Sequence, residues 1–135
     1  MDWKLIVAVI GAGLISSFTD WFFMGVLFRD RYTKYPETWW VKTKTDEMKP
    51  ILYSTAMGFI TAAAIIGLCE LANASSLFAT LTLAVVAWLA GPLVVCITNG
   101  FWIRIDPAVT FAHSIGYLAR FLIAAVAASW ALGGL

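Results

Sequence analysis

Three ionisable side chains lie inside the long apolar stretches of this 135-residue chain: Asp20, His113 and Arg120. Charged groups are costly to bury in apolar segments, so they are usually paired with one another and commonly mark a functional site. His113, Tyr117 and Arg120 follow the spacing i, i+4, i+7, which brings them onto one face of a helix. Such groups can hold a structure together, relay protons or bind polar ligands. We therefore predict that Asp20 pairs with Arg120, with His113, or with both.

The composition indicates which class of protein positions these groups. Hydrophobic residues make up 61% of the chain and charged residues 13%, whereas soluble domains average roughly 45–50% apolar and 25% charged residues. This composition excludes a disordered tail and argues against a water-soluble globule. The net charge of +1 provides no whole-chain field for nucleic acid, which is not expected as a partner. The composition therefore predicts an integral membrane protein surrounded by the lipid bilayer.

Four apolar segments are each long enough for a helix of about 20 residues, the length that crosses a bilayer. Their apolar residues are continuous and do not alternate with polar ones, which favours helices over barrel strands. Pro92 is expected to kink the third segment. The sequence thus predicts an all-α fold, a four-helix transmembrane bundle that forms a single domain over 1–135, with a polar loop at 29–49. The predicted spans are about 5–28, 51–70, 77–103 and 107–132.

Lysine and arginine are distributed unevenly between the two ends of this predicted bundle. Of nine basic residues, six lie in loop 29–49 and Arg104 lies in the turn between the third and fourth spans. Cytoplasmic loops carry an excess of basic residues, so we expect loops 29–49 and 104–106 in the cytoplasm and both termini outside. The first span lacks a signal-peptide cleavage pattern and is expected to be retained. Aromatic residues typical of membrane interfaces cluster on the same side: Tyr32, Tyr35, Trp39, Trp40 and Trp102.

Depth along the helices brings further polar residues near the three ionisable groups. Counted from the cytoplasmic side, His113 is shallow, Arg120 lies near the middle of the bilayer, and Asp20 falls between them. Asn99, at the cytoplasmic end of the third span, can join them by hydrogen bonding. The predicted intramembrane polar cluster consists of Asp20, His113, Tyr117, Arg120 and Asn99. Secondary candidates are Ser16 and Ser17 on the Asp20 face, and Glu70 near the outer end of the second span, where it can reach water.

A glycine-rich run at residues 7–16 resembles the fingerprint of dinucleotide-binding domains. The chain stays apolar after this run instead of completing a strand–helix–strand unit, so the fingerprint lacks its structural context. Helix packing is the favoured interpretation, because Gly13 and Ser17 form a pair of small residues four apart that lets two helices approach closely. Gly58 and Ala62 form the same pair in the second span.

The polar cluster has three interpretations. It can be a lock that fixes the register of the helices without any ligand, a transport or proton-relay site, or a binding site for a small molecule or lipid headgroup. No nucleophile–base pair and no second histidine accompany His113. We therefore predict no catalytic residue, no metal site and no cofactor, and do not expect an enzyme. Cys69 and Cys96 fall near opposite ends of their spans and are predicted to be free, buried thiols.

Several short motifs, spread over nearly the whole chain, resemble those of a known family. They are the first-span ending Trp21-Phe22 with Leu27-Phe28-Arg29 and Tyr32, then Pro92, Asn99, the aromatic and basic turn 101–104 with Pro107, and Gly116-Tyr117. With them the chain resembles the small bacterial four-span family catalogued as domain of unknown function 1761. It departs from that family in a longer first loop, in lacking a proline after the first Trp-aromatic pair, and in Arg120. The resemblance implies four spans, a bacterial inner (cytoplasmic) membrane and no established activity, and it adds Trp21 to the candidates beside Asn99 and Tyr117.

The sequence therefore predicts a small four-span integral membrane protein of structural or accessory type, whose polar cluster locks the first and fourth helices together. The alternative is a small transporter, or a protein that binds a lipid or small-molecule ligand, using the same cluster. Four short helices bury few side chains, so we also expect a homo-oligomer.

Overall fold

The computed structural model describes residues 2–39 and 47–133 of the chain. Within these ranges every regular element is helical and there is no strand. Trp40, Lys42 and Lys44, which contributed to the predictions for loop 29–49, lie outside the described residues. The α-helices are α1 (Trp3–Asp20), α2 (Arg29–Tyr32), α3 (Met48–Leu71), α4 (Leu77–Trp88), α5 (Val94–Trp102) and α6 (Pro107–Ala131). A short 3-10 helix, Pro36–Thr38, follows α2.

Four helical spans are long and apolar enough to cross a membrane, as the sequence predicts. Their ends agree with the predicted ends to within three residues, and each contains 24 to 26 residues. We number them in chain order, and span 1 and span 3 each include a π-helical segment. The spans are Trp3–Leu27, Met48–Leu71, Leu77–Trp102 and Pro107–Ala131.

Local sequence chemistry fixes where these helices begin and end. The Ser76 hydroxyl accepts a hydrogen bond from the amide of Ala79 at the start of α4, and Asp106 caps α6 from the position before Pro107. Proline suits a first helical turn because the amide hydrogen that it lacks would have no helical partner there. At the end of α3, Asn73 adopts a left-handed φ of 53°, a conformation that asparagine tolerates and that stops a helix.

Two π-helical segments interrupt the spans, Trp21–Leu27 after α1 and Leu89–Leu93 between α4 and α5. The second contains Pro92, which cannot donate a backbone hydrogen bond. The expected disturbance at Pro92 therefore takes the form of a wider helical turn. The first segment begins directly after Asp20 and ends with a bond from the Phe28 amide to the Phe23 carbonyl, 3.0 Å long. Such segments are rare and often lie at functional sites.

Span 4 is the centre of the arrangement, because it packs against each of the other three spans. Span 1 also packs on span 2, and the small residues predicted to allow this do lie at the contact. A Cβ atom added at Gly13 would lie 2.8 Å from Phe59 Cγ, and one at Gly58 would lie 3.4 Å from Ser17 Oγ. Among the described residues, span 3 makes no extensive contact with span 1 and only a slight one with span 2, so it packs mainly on span 4.

The two ends of the bundle differ in chemistry. We call the end that carries residues 28–39 and the turn 103–106 the loop side, and the end that carries both chain termini and the turn 72–76 the termini side. The apolar core lies in the termini-side half of the helices, where small side chains allow tight packing. Its fully buried members are Ala8, Ala12, Ala62, Ile65, Ile66, Cys69, Ala124, Ala128 and Ala131. Cys69 and Cys96 are free, as predicted, but only Cys69 is fully buried.

Candidate functional site

The small face of α1 and one face of α6 position the predicted polar groups. Ser16 and Asp20, four residues apart, are both buried, and Asp20 is the last residue of α1. On α6 the spacing i, i+4, i+7 places His113, Tyr117 and Arg120 on one side, as a 3.6-residue helical period requires. Because α1 and α6 pack along their length, these two faces meet inside the bundle.

Asp20 and Arg120 form an ion pair between Oδ2 of the carboxylate and Nη2 of the guanidinium. The Arg120 side chain is 6% exposed and the Asp20 side chain 8%, so water screens their attraction very little. The Asp20 carboxylate lies against the backbone of α6 at Gly116, since a Cβ atom at that position would be in ordinary contact with Asp20 Oδ1, 3.8 Å away. Of the two partners predicted for Asp20, the structure selects Arg120. The pair is neutral as a unit, which is how a charge is tolerated inside an apolar bundle.

Tyr117 lies beside this ion pair and extends it toward the loop side. The Arg120 Cζ atom lies 5.5 Å from the centre of the Tyr117 ring, a distance at which a guanidinium is attracted to an aromatic face. Arg120 therefore has two partners of different kinds, the carboxylate of Asp20 and the aromatic face of Tyr117.

His113 has a partner that the sequence did not indicate. The hydroxyl of Tyr32, in α2, lies 2.9 Å from His113 Nε2. Burial raises the pKa of Tyr32 to about 12, so the phenol keeps its proton at neutral pH and can donate it in a hydrogen bond. A neutral His113 with its proton on Nδ1 accepts that bond. The Tyr32 ring also packs against Trp39, with ring centres 4.9 Å apart.

There are two groups of contacts, Tyr32–His113 and Tyr117–Arg120–Asp20, which lie one helical turn apart along α6. We call these five residues together the polar column. It begins at the loop side and ends at the ion pair near the middle of span 4. Beyond the ion pair, the core cluster consists of alanine, isoleucine and cysteine side chains. The buried polar residues of that half, Ser16, Thr80 and Ser129, are uncharged hydroxyl residues. The charged and aromatic groups of the polar column therefore lie toward one side of the bundle.

A second set of contacts joins the segment after span 1 to the turn before span 4, and we call it the loop latch: Lys34, Glu37, Thr38, Arg104 and Asp106. Lys34 Nζ lies 3.0 Å from Asp106 Oδ2, and the Thr38 hydroxyl donates to the Arg104 carbonyl over 2.7 Å. Arg104 Nη1 lies 3.8 Å from Glu37 Oε1, but both side chains are more than half exposed. The Arg104–Glu37 pair consequently contributes little, and Lys34–Asp106 is the defining contact.

Asp106 has two functions in the loop latch. Its carboxylate accepts a hydrogen bond from the Ala108 amide, 2.8 Å away, and this caps α6. The bond from Ala108 and the contact with Lys34 together lower the pKa of Asp106 below its ordinary value. The same contact raises the pKa of Lys34. The loop latch thus ties α2 and the 3-10 helix to the start of the helix that carries most of the polar column.

The remaining predicted residues lie away from the polar column. Asn99 is exposed on α5, and among the described residues its side chain makes no hydrogen bond. Trp21 is 58% exposed on the outside of span 1, and Glu70 is exposed near the end of α3, as expected. Ser17 faces span 2 at Gly58 and donates its hydroxyl hydrogen to the Gly13 carbonyl, 2.9 Å away.

The described side chains offer no apparent centre for covalent or metal chemistry. Within residues 2–39 and 47–133, no group of three or more His, Cys, Asp or Glu side chains could hold a metal ion. Ser114, next to His113, is buried, and its carbonyl accepts a bond from Trp88 Nε1 at 2.8 Å. Adjacent residues of a helix point in different directions, so Ser114 and His113 do not form a nucleophile–base pair. The polar column can hold the helices together, bind a polar ligand or transfer a proton.

The residues that sequence reasoning missed are Tyr32, Lys34 and Asp106. The sequence predicts Tyr32 only as an aromatic residue of the membrane interface and Lys34 only as one of the basic residues of loop 29–49. It predicts no role for Asp106. The available signal was local: Asp106 directly precedes Pro107, the pattern of a capped helix start. Nothing in the sequence spacing shows that the loop returns across span 4.

Comparisons with protein-family models, with curated proteins and with solved structures found no match to this chain. The resemblance to the four-span family catalogued as domain of unknown function 1761 therefore stays a prediction.

Proposed function

We propose that the chain is a small integral membrane protein of structural or accessory type, in which the Asp20–Arg120 ion pair locks spans 1 and 4 together. The observation that carries this proposal is the direct contact between two opposite charges inside the bundle, with both side chains at most 8% exposed. A transported ion or proton needs an exchangeable partner and a route to both sides of the membrane. Among the described residues, the buried side chains on the termini side of the ion pair carry no charge and are mostly apolar, which argues against such a route.

The proposed placement follows from charge. The loop side carries most of the basic residues, so the positive-inside rule places it in the cytoplasm and both termini outside. With the family resemblance, this gives a bacterial inner membrane. Fusions of alkaline phosphatase or a fluorescent protein to the C-terminus test the placement: the account expects an active phosphatase and a dark fluorescent protein, and the opposite pair of results would reverse the topology.

Self-association is also part of the proposal. Span 3 is the least buried of the four, with 11% of its most apolar stretch buried, whereas the value for span 4 is 39%. Span 3 packs mainly on span 4 and leaves much of its surface for lipid or for a second copy of the chain. Native mass spectrometry in mild detergent should show an oligomer, and a monomer at all protein concentrations would contradict this part.

The second candidate function is a small transporter or ligand-binding protein that uses the polar column. The observation that favours it is that the polar side chains follow one another along α6 from the loop side to the ion pair, since intramembrane ionisable groups can mark proton relays. Proteoliposomes with a pH-sensitive dye inside distinguish the two functions. The lock predicts that an imposed pH gradient decays at the same rate with the wild type as with the Asp20→Asn, Arg120→Gln double variant. Faster decay with the wild type alone would favour transport.

A further inference from the structure

An apolar groove runs along the outside of the bundle between α1 and α6, on the termini-side half. It has a volume of about 500 Å³, and its walls are almost entirely apolar. It is separate from the polar column, because neither Asp20 nor Arg120 contributes to its walls. Its floor is formed by small residues, and its walls are Val7, Ile15, Leu122, Ile123, Val126 and Trp130.

The shape of the groove limits what can occupy it. Along α1 the lining runs from Val7 to Ile15, which is about 12 Å at 1.5 Å per residue. The lining side chains come from both helices and leave almost no polar surface in the groove. A flexible hydrocarbon chain is thinner than a helix and can follow a shallow apolar groove of this length.

The mouth of the groove has the chemistry of a lipid headgroup site. Trp3 and Trp130 meet edge to face there, with ring centres 6.2 Å apart, and tryptophan is typical of the headgroup level of a membrane. Lys4 precedes Ala8 and Gly11 by four and seven residues, so it lies on the groove face of α1, one turn above the lining. Among residues 2–39 and 47–133, the Lys4 ammonium makes no ion pair.

We propose that this groove binds one glycerophospholipid, with an acyl chain between α1 and α6 and the phosphate beside Lys4. The almost entirely apolar lining suits the acyl chain, and the Lys4 ammonium at the mouth of the groove complements the negative charge of the phosphate. This site is independent of the lock, since it shares no residue with the polar column.

Native mass spectrometry of the delipidated full-length protein, with phosphatidylglycerol added back, tests the proposal. Gly11→Leu places a bulky side chain in the groove from a position where nothing lies within 4 Å of an added Cβ atom. The matched control is Gly67→Leu, since Gly67 also has nothing within 4 Å and lies on α3, away from the groove. We expect one retained lipid per chain, a loss of at least tenfold in affinity for Gly11→Leu, and no change for Gly67→Leu.

A separate variant tests the proposed contact between Lys4 and the lipid phosphate. Removing the charge with Lys4→Gln should weaken phosphatidylglycerol binding by about fivefold, the effect of one basic residue near a charged headgroup. Val7→Phe narrows the same groove from an exposed position. It serves as the test variant if Gly11→Leu unfolds at a lower temperature than the wild type. Equal lipid binding by the wild type and the groove variants would overturn the proposal. So would loss of an oligomer with unchanged lipid binding, because that result assigns the groove to a second copy.

Discussion

Asp20→Asn and Arg120→Gln, made one at a time, should each destabilise the protein strongly, whereas the double variant should recover most of the loss. Each single change leaves one charge without its partner at a position where the side chains are at most 8% exposed. Breaking a buried ion pair costs about 3–5 kcal/mol, and an unpaired aspartate or arginine in the middle of a bilayer costs about 2.5–3.5 kcal/mol on insertion scales. We expect each single variant to lose about 2.5–5 kcal/mol.

The double variant replaces the charged pair with two amides of similar size. No unpaired charge remains, and the amides can hydrogen-bond to each other for about 0.5–1.5 kcal/mol. We expect its free energy of unfolding to lie within about 1.5 kcal/mol of the wild type. The two smallest single losses less the largest double loss then give a coupling free energy of at least about 3.5 kcal/mol, as expected of groups in direct contact.

The assay is reversible unfolding in bicelles or mixed micelles, followed by tryptophan fluorescence, for the wild type, both single variants and the double variant. Glu70→Gln is the control, because it removes a carboxylate from an exposed position and should change stability by no more than about 0.5 kcal/mol. Additive losses in the double variant would refute the reasoning, since they would mean that the two residues stabilise the protein through separate contacts.

Two further predictions concern the contacts that position the polar column. Gly13→Ala should lose about 1–3 kcal/mol, because the new methyl group overlaps the Phe59 ring, whereas Gly67→Ala, with open space around it, should be neutral or stabilising in the same unfolding assay. Folding lowers the pKa of Asp106 below its ordinary value of 3.8, so the loop latch should lose stability as the pH falls below about 3.8. Folding raises the pKa of Lys34 above its ordinary value of 10.5, so the latch should also lose stability as the pH rises above about 10.5. Limited proteolysis after Lys34 across this range measures opening of the latch, and increased cleavage between pH 5 and 9 would contradict the prediction.

The spans and the central ion pair were predictable from the sequence because they depend on length and depth alone. Continuous apolar runs of about 20 residues have few alternatives to a membrane-spanning helix. Asp20 and Arg120 are the charged residues in the interior of their spans, so the cost of burying either one alone favours their pairing. The close approach at Gly13 was also predictable, since small residues four apart are the common signal for it.

The remaining contacts depend on how the chain returns on itself, which spacing along a helix does not encode. The Tyr32–His113 bond joins residues 81 positions apart, and it requires the loop after span 1 to fold back over span 4. The central position of span 4 has the same origin, because the sequence does not show which of four similar apolar helices pack on one another. Asn99 shows what depth alone cannot predict. It lies at a depth compatible with the predicted cluster, but its position on α5 leaves it exposed.

A distance measurement in lipid bilayers tests the lock most directly. Solid-state NMR of protein labelled with ¹³C in aspartate and ¹⁵N in arginine reports carboxylate–guanidinium contacts, and Asp20–Arg120 is the Asp–Arg ion pair among residues 2–39 and 47–133. We predict a dipolar coupling that corresponds to an ion-pair contact, roughly 4 Å or less between nitrogen and oxygen, and its disappearance in Asp20→Asn. A wild-type spectrum without this coupling, or a coupling that persists in Asp20→Asn, would contradict the account.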